Sequence, residues 1–510
     1  MVSPEESHEW NRVDVVIRNG EDYRESLRGL GANVWVRGER VGSVPDHPAI
    51  RPHVNAAAMT YDLALDPELA PLFLTESHLS GEKVSRFTQV DLSPEDIVNK
   101  AKMLRELGRR TGTCFQRCVG ADALRALFMV TYEVDEAKGT DYHERFLEFL
   151  RYIQATNKMA TGSMTDPKGD RSLRPAEQPD PDQFVRVVER KDSGIIVRGA
   201  KVHQTGAANS HEFIVLPTCA MTEDERDYAV AFAVPANAAG ITIIFGRQAG
   251  DLRRYEEGDM DLGNAEFGVV GGESTIVFEN VFVPRERVFL CGEWDMAGKV
   301  VEYFATSHRQ NSGGCKAGGA DVLIGAAAEL AELQGTGRAS HVRDKLTEMV
   351  FLTETLYACS MGAACEAVRT NSGAYLANPL LANVLKHNVT RHMYEIDRLA
   401  HDLAGGFIAT MPAELDLRHP TLGPLVEKYY RGAEEGSTER RMRLGRLIEN
   451  MTTCTPLLEA MHGAGSPQAQ RIMILRGADI AKKRALARGI AGLEKEAKKG
   501  EDSKSEGKDS

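Results

Sequence analysis

Residues 184–202 read Phe184-Val-Arg-Val-Val-Glu-Arg-Lys-Asp-Ser-Gly-Ile-Ile-Val-Arg-Gly-Ala-Lys-Val202, and their reading decides the fold class. On either side of Asp192-Ser193-Gly194 the apolar side chains follow a period of two, the pattern of two strands joined by a tight turn. Glu212–Pro217, Tyr228–Pro235, Ile241–Phe245 and Ser274–Pro284 repeat that character, separated by Gly, Pro and Asn. Together they predict a compact β-barrel or sandwich over residues 151–290.

Outward from this block the period changes to that of helices. On the N-terminal side, residues 1–150 read as mainly helical. Start signals are Asn19-Gly-Glu-Asp22 and Ser93-Pro94-Glu-Asp96, with a short hairpin expected at Val34–Val41. On the C-terminal side, residues 291–494 predict a helix bundle: Ala320–Gln334, His341 to about Thr370, Leu380–Ala404, Glu439 to about Met461, and Pro467–Leu493. In the second of these, Val342, Leu346, Met349, Val350, Thr353, Leu356 and Tyr357 form the stripe of a buried face. Residues 495–510 carry no aromatic or branched apolar side chain and read as a disordered tail. The fold class is α+β, in the order helices, barrel, helices.

The bulk properties narrow the function. With a net charge of −12 and no offsetting basic stripe, the chain is not expected to bind nucleic acid, and an anionic substrate needs a local basic pocket. No apolar run reaches the roughly 20 residues of a membrane span. The eight cysteines are scattered behind the polar start MVSPEESHEW, which has no leader character, so a reducing, cytoplasmic location is expected.

Two motifs place soft ligands at short spacing. Cys114-Phe-Gln-Arg-Cys118 puts both thiols on one face if the segment is helical, and His308-Arg-Gln-Asn-Ser-Gly-Gly-Cys315-Lys316 sets a histidine and a cysteine across a glycine pair. Three thiolates and an imidazole suit either a tetrahedral zinc or one corner each of a four-iron cluster. The long separation of the two motifs fits a cluster buried between domains. Core cysteines with a satisfied histidine are the plain alternative.

Beyond these motifs, Met164-Thr165-Asp166-Pro-Lys168-Gly169-Asp170-Arg171, His203-Gln204-Thr205-Gly206, Asn209-Ser-His-Glu212 and Met461-His-Gly463-Ala464-Gly465-Ser466-Pro-Gln-Ala-Gln-Arg471 give the chain a resemblance. It resembles the family of 4-hydroxyphenylacetate 3-hydroxylases and 4-hydroxybutyryl-CoA dehydratases, a branch of the acyl-CoA dehydrogenase fold, from about Glu21 to Leu493. The two Cys/His motifs are like the dehydratase members in particular. The resemblance implies bound FAD, an acyl-CoA thioester substrate and a homotetramer. It also implies a [4Fe-4S] cluster on Cys114, Cys118, His308 and Cys315. There is no G-x-G-x-x-G after a strand, so no Rossmann domain is expected.

On that resemblance, the flavin segments make local sense. The 164–171 loop can turn its N–H groups and Thr165 toward the ring; His203, Gln204 and Thr205 end a strand; and Gly463–Ser466 breaks one helix and starts another, as a close approach to cofactor requires. The implied reaction dehydrates 4-hydroxybutyryl-CoA to crotonyl-CoA and isomerises vinylacetyl-CoA by a redox-neutral radical route. A base takes the C2 proton, one electron passes from the enolate to the flavin, and the radical's acidified C3–H is lost. A ketyl then expels hydroxide toward iron, and the electron returns. Glu459 and His308 resemble the two bases, Glu273 another active-site carboxylate, and Gln116, Thr205 and Lys316 cavity-lining positions.

The pattern departs at Ser312, where the dehydratases carry a tyrosine that protonates the leaving hydroxyl. Serine is shorter and a far weaker acid. Either water or another residue replaces it, or the enzyme isomerises only, or a bulkier hydroxyacyl-CoA fills the freed space. A two-component hydroxylase using reduced FAD, and a non-catalytic zinc protein, are the competing classes; the first needs no cluster and the second no flavin.

Overall fold

The computed structural model describes residues 11, 13–248, 251–268 and 271–493; the predicted tail at 495–510 lies outside them. The helix, sheet and helix character expected from the sequence is present, with the periodic stretch at its centre. Arg186–Lys191 and Gly194–Gln204 pair as the expected hairpin.

A closed barrel does not form among the described residues. The strands make two open sheets. One has six strands, in the order Glu39–Arg40, Val34–Val36, Ile241–Phe245, Ser274–Pro284, Gly194–Gln204, Arg186–Lys191; the other has four, Val288–Cys291, Val230–Pro235, Glu212–Val215, Ala160–Ser163. Two causes are visible. The predicted Val34–Val41 hairpin is there, but Val34 pairs in parallel opposite Ile243 and extends the larger sheet with a strand from the N-terminal region. In the smaller sheet the Cys118–Lys138 helix covers the Ala160–Ser163 edge instead of another strand. The contact is so close that a β-carbon on Gly120 would stand 2.0 Å from the Ala160 carbonyl oxygen.

The helix starts read from sequence hold. Asn19 and Ser93 accept hydrogen bonds from the backbone N–H of Asp22 and Asp96, and Pro94 opens its helix, Pro94–Thr111. Four expectations are corrected. The first C-terminal helix runs unbroken for 40 residues, Trp294–Leu333, and swallows the His308–Lys316 motif. Glu439–Met461 is two helices, Thr438–Met451 and Cys454–His462. Pro467–Leu493 is also two, broken at Asp479, whose φ of 43° is left-handed. Finally Val350 leaves the predicted stripe: it is exposed, while Val342, Met349, Thr353 and Leu356 are buried as expected.

What brings the two Cys/His motifs together is helix packing. The Pro94–Thr111 helix, which leads into Cys114, lies against Trp294–Leu333 along a seam of glycines. A β-carbon at Gly314 would sit 2.6 Å from the Ala101 carbonyl oxygen and one at Gly318 2.2 Å from that of Arg105. The glycine pair in the motif is therefore a place of close helix contact and not a chain break. No described helix is long and apolar enough to cross a membrane.

Candidate active site

All four predicted ligands, Cys114, Cys118, His308 and Cys315, line one cavity of about 50 Å³. Thr205, Lys316 and Glu459, predicted from three other parts of the chain, line it as well. Sequence positions up to 360 residues apart, the span from Leu104 to Ala464, thus share one space.

Helical repeat explains one wall. His308, Asn311, Ser312 and Cys315 fall at i, i+3, i+4 and i+7 of the long helix and face the cavity together. The other wall is not what the spacing predicted. Cys114 lies in non-helical chain, Gln116 is left-handed at φ 70°, and Cys118 is the first residue of its helix. The thiols of the Cys114–Cys118 motif reach the cavity through a turn, not by stacking on a helix face.

The donor set has the chemistry of a site that waits for positive charge. Burial pushes the Cys114 and Cys118 thiols well above the ordinary range, and Cys315 upward too, so their thiolates need a cation beside them. His308 is oriented from behind: its Nδ1 lies 2.9 Å from Asp122 Oδ2, and Asn311 donates to the same oxygen at 2.7 Å. A carboxylate only accepts, so Nδ1 carries the hydrogen and Nε2 is left as the ring's free donor atom. Phe304 stacks on the imidazole at 5.8 Å between centroids. Among the described residues no three His, Cys, Asp or Glu groups converge tightly enough for a single ion.

Two carboxylates near the cavity are set apart in acidity. Burial raises Glu459, but the paired ammonium of Lys316, with Lys386 and His308 nearby, outweighs it and holds Glu459 below the usual range. Glu273 is pushed up to about 8 by burial, with the Glu459 charge adding, even though Thr205 Oγ1 donates to it at 2.8 Å. At neutral pH one is an ionised base and the other a protonated acid. Burial alone would lower Lys316; the Glu459 carboxylate keeps it charged.

The predicted cofactor segments also meet. Val202 N–H donates to the Thr165 carbonyl at 2.8 Å, laying the 164–171 loop along the strand end that carries His203, Gln204 and Thr205. His203 is left-handed at φ 57° and exposed. Gly463 and Ala464 reach the main cavity, and Ser466 caps the Pro467–Gly477 helix by accepting from Ala469 N–H. Met164 and Thr165 are half-buried, whereas Lys168, Gly169, Asp170 and Arg171 are exposed on the loop.

Three expected residues point elsewhere. Gln116 is not on the cavity wall: its fully buried amide donates to the His53 carbonyl at 2.9 Å and accepts from Asn209 at 2.7 Å. Asp166 turns inward, pairing with buried Lys201 at 2.7 Å and accepting from Val185 N–H at 2.9 Å, which pins the loop to the sheet. Gln204 spends its amide on the Thr165 and Val202 carbonyls. Conversely, sequence reading missed Asp122, Asn311 and Lys386. The first two had a signal, one helical turn from Cys118 and His308; Lys386 had none.

With this geometry in place, comparison with known proteins is informative. The chain matches the 4-hydroxyphenylacetate 3-hydroxylase N-terminal family over residues 19–290 and the C-terminal family over 297–492. It is 50% identical over 491 residues to the 4-hydroxybutyryl-CoA dehydratase/vinylacetyl-CoA-Delta-isomerase of Clostridium aminobutyricum, spanning 94% of this chain and 100% of that one. A solved oxygen-tolerant archaeal 4-hydroxybutyryl-CoA dehydratase from N. maritimus superposes with a TM-score of 0.92 at 50% identity, over 94% of this chain and 95% of that one. The oxygenase component of 4-hydroxyphenylacetate 3-monooxygenase from Thermus thermophilus is 27% identical over 85% of this chain and 88% of its own. A solved oxygenase component of that enzyme type, in complex with FAD, shares the fold at a TM-score of 0.83 and 22% identity, over 94% and 100% of the two chains. The chain belongs to the 4-hydroxyphenylacetate 3-hydroxylase family, with higher identity to a dehydratase/isomerase member than to the monooxygenases.

Proposed function

We propose that the protein is a 4-hydroxybutyryl-CoA dehydratase that also isomerises vinylacetyl-CoA, holding FAD and one [4Fe-4S] cluster. The observation that carries this is the joint lining of one cavity by Cys114, Cys118, His308 and Cys315 with the Glu459–Lys316 pair. The residues fit both groups. Free thiols, that of Cys118 buried and those of Cys114 and Cys315 half-buried, and an imidazole oriented by Asp122 suit a cluster, and the adjoining 164–165, 203–205 and 463–466 segments offer backbone and a helix start for a flavin. When bound, the flavin supplies a one-electron acceptor that returns the electron, and the cluster a Lewis-acidic iron.

The chain's own groups handle protons. Glu459, ionised and reached from the cavity, takes the proton at C2 of the thioester. Glu273, protonated at neutral pH and hydrogen-bonded to Thr205, is the acid on the strand side. Lys316 gives the cavity the local positive charge that enolate formation needs in a chain of net −12. Anaerobic incubation with 4-hydroxybutyryl-CoA, scored by crotonyl-CoA, tests the reading; no product would refute it.

One observation favours a second reading, an enzyme that only isomerises. Ser312 lies in the cavity wall, but its hydroxyl donates to the Arg309 carbonyl of its own helix at 2.5 Å, so its proton is not aimed at a leaving group. The same substrate pair separates the two readings.

We further propose a homotetramer working in the reducing cytoplasm. Leu475, Ile480, Leu486 and Ile490 leave apolar surface on the last two helices that partner copies would cover. Domains at 1–150, 151–290 and 291–494 complete this picture; the two family matches part between residues 290 and 297, at the second boundary.

A further inference from the structure

Lys386 is a residue that nothing above explains. It sits on the Pro379–Ala404 helix with its side chain 2% exposed, and it lines the cavity. Lysine is almost never buried to this degree without a partner, because removing its charge from water is costly. Its ammonium donates to the Ala460 carbonyl at 2.8 Å and reaches the Glu459 carbonyl at 3.5 Å.

Those two carbonyls lie near the C-terminal end of the Cys454–His462 helix, which carries Glu459. Ala460 lies in the last turn of that helix, where carbonyls are left without helical partners at the negative end of the helix dipole, so a buried Nζ donor both satisfies and anchors its carbonyl; the Glu459 carbonyl already accepts from Gly463 N–H at 2.8 Å. The helix needs an anchor: of its nine residues only Ala460 is buried, packed against Leu356, Leu385 and Val389. A second buried cation, Arg309, donates to the Ala464 carbonyl just beyond it at 3.0 Å and is itself fixed by Asn383 at 2.6 Å. Lys316 meanwhile holds the Glu459 carboxylate. The side chain is thus gripped at its head and the backbone at its root.

We propose that Lys386 is a positioning residue for Glu459, clamping the C-terminal end of the Glu459 helix so that the carboxylate stands over the cavity. This rests on the functional reading above and names what places its base. Removing the ammonium lets the helix end shift, and a misplacement of about 1 Å can cost on the order of a hundredfold in rate. The effect falls on turnover, since the ammonium is spent on protein carbonyls.

The test is C2 proton exchange of the acyl-CoA in deuterated water, with Lys386→Met, Glu459→Gln and the double variant, each checked for FAD, iron and melting temperature. The expected result is a loss of about a hundredfold in kcat for Lys386→Met with KM little changed. In the double variant the loss is no greater than in Glu459→Gln alone, because a residue acting through Glu459 has nothing left to position. Should Lys386→Met not fold, Lys386→Gln replaces it; its shorter side chain keeps an N–H donor, so kcat should fall by less than about a hundredfold, again with KM little changed and with no added loss in the double variant with Glu459→Gln. Wild-type exchange that survives the Lys386 change, or losses that multiply in the double variant, overturns the proposal alone. Absence of exchange in the wild type overturns the functional reading and the proposal with it.

Discussion

The imidazole of His308 gives its Nδ1 hydrogen to Asp122, 2.9 Å away, and both side chains are fixed by position on their helices. Asp122 stands one turn after Cys118 and is fully buried. The same short helix segment therefore supplies one thiol and orients the imidazole opposite it. Asp122→Asn should weaken metal retention by about 10–100-fold, the usual effect of losing such an outer partner. Iron release to a chelator, followed against an unchanged flavin spectrum, checks this; release at the wild-type rate would mean that Asp122 does not orient the ligand.

Glu273 sets an upper limit on the working pH. Its folded pKa is raised to about 8, so the protonated, proton-donating form is present below that value and is lost as pH rises through it. Turnover should fall on the alkaline side with a midpoint near 8, and Glu273→Gln should remove that limb while lowering the plateau. A limb that persists unchanged in the variant belongs to another group.

The seam between the Pro94–Thr111 and Trp294–Leu333 helices leaves no room for a methyl group. Gly314→Ala would put a β-carbon 2.6 Å from the Ala101 carbonyl oxygen, a backbone atom that cannot swing aside. We expect a loss of about 1–3 kcal/mol in stability from overpacking, with cofactor content reduced in proportion to the helix shift. Chemical denaturation measures the first; a variant as stable as wild type would show that the helices separate freely.

Ser312→Tyr tests the missing acid. Because Ser312 donates within its own helix, a phenol projecting from that position should raise dehydration of 4-hydroxybutyryl-CoA relative to isomerisation of vinylacetyl-CoA. An unchanged ratio of the two rates would show that another group already protonates the leaving hydroxyl.

How far the sequence carried can be seen in particular residues. Alternation at 184–202 gave the strand pair, and Asn19 and Ser93 the helix starts, because those signals are local. The barrel failed because Val34–Val36 joins the larger sheet and the Cys118–Lys138 helix covers an edge of the smaller one, which no alternation records. Cys114, Cys118, His308 and Cys315 were legible as residue types at a spacing, yet the chain between Cys114 and Cys118 is not the helix that would stack them: a left-handed Gln116 turns it. Gln116 and Asp166 looked like site residues and are instead buried fasteners of the wall. Lys386 was invisible, since its partners are backbone carbonyls about seventy residues away, and a carbonyl has no sequence signature.

The central claim is that Cys114, Cys118, His308 and Cys315 hold one cluster beside a flavin. It is tested most directly by anaerobic purification of the wild type and of Cys315→Ala, with iron, sulfide, zinc and FAD measured on the same samples. About four irons and four sulfides with one FAD per wild-type chain, and a variant that loses iron while retaining FAD, is the result expected. A variant with a full complement of iron, or a wild type holding zinc and no flavin, would contradict the account.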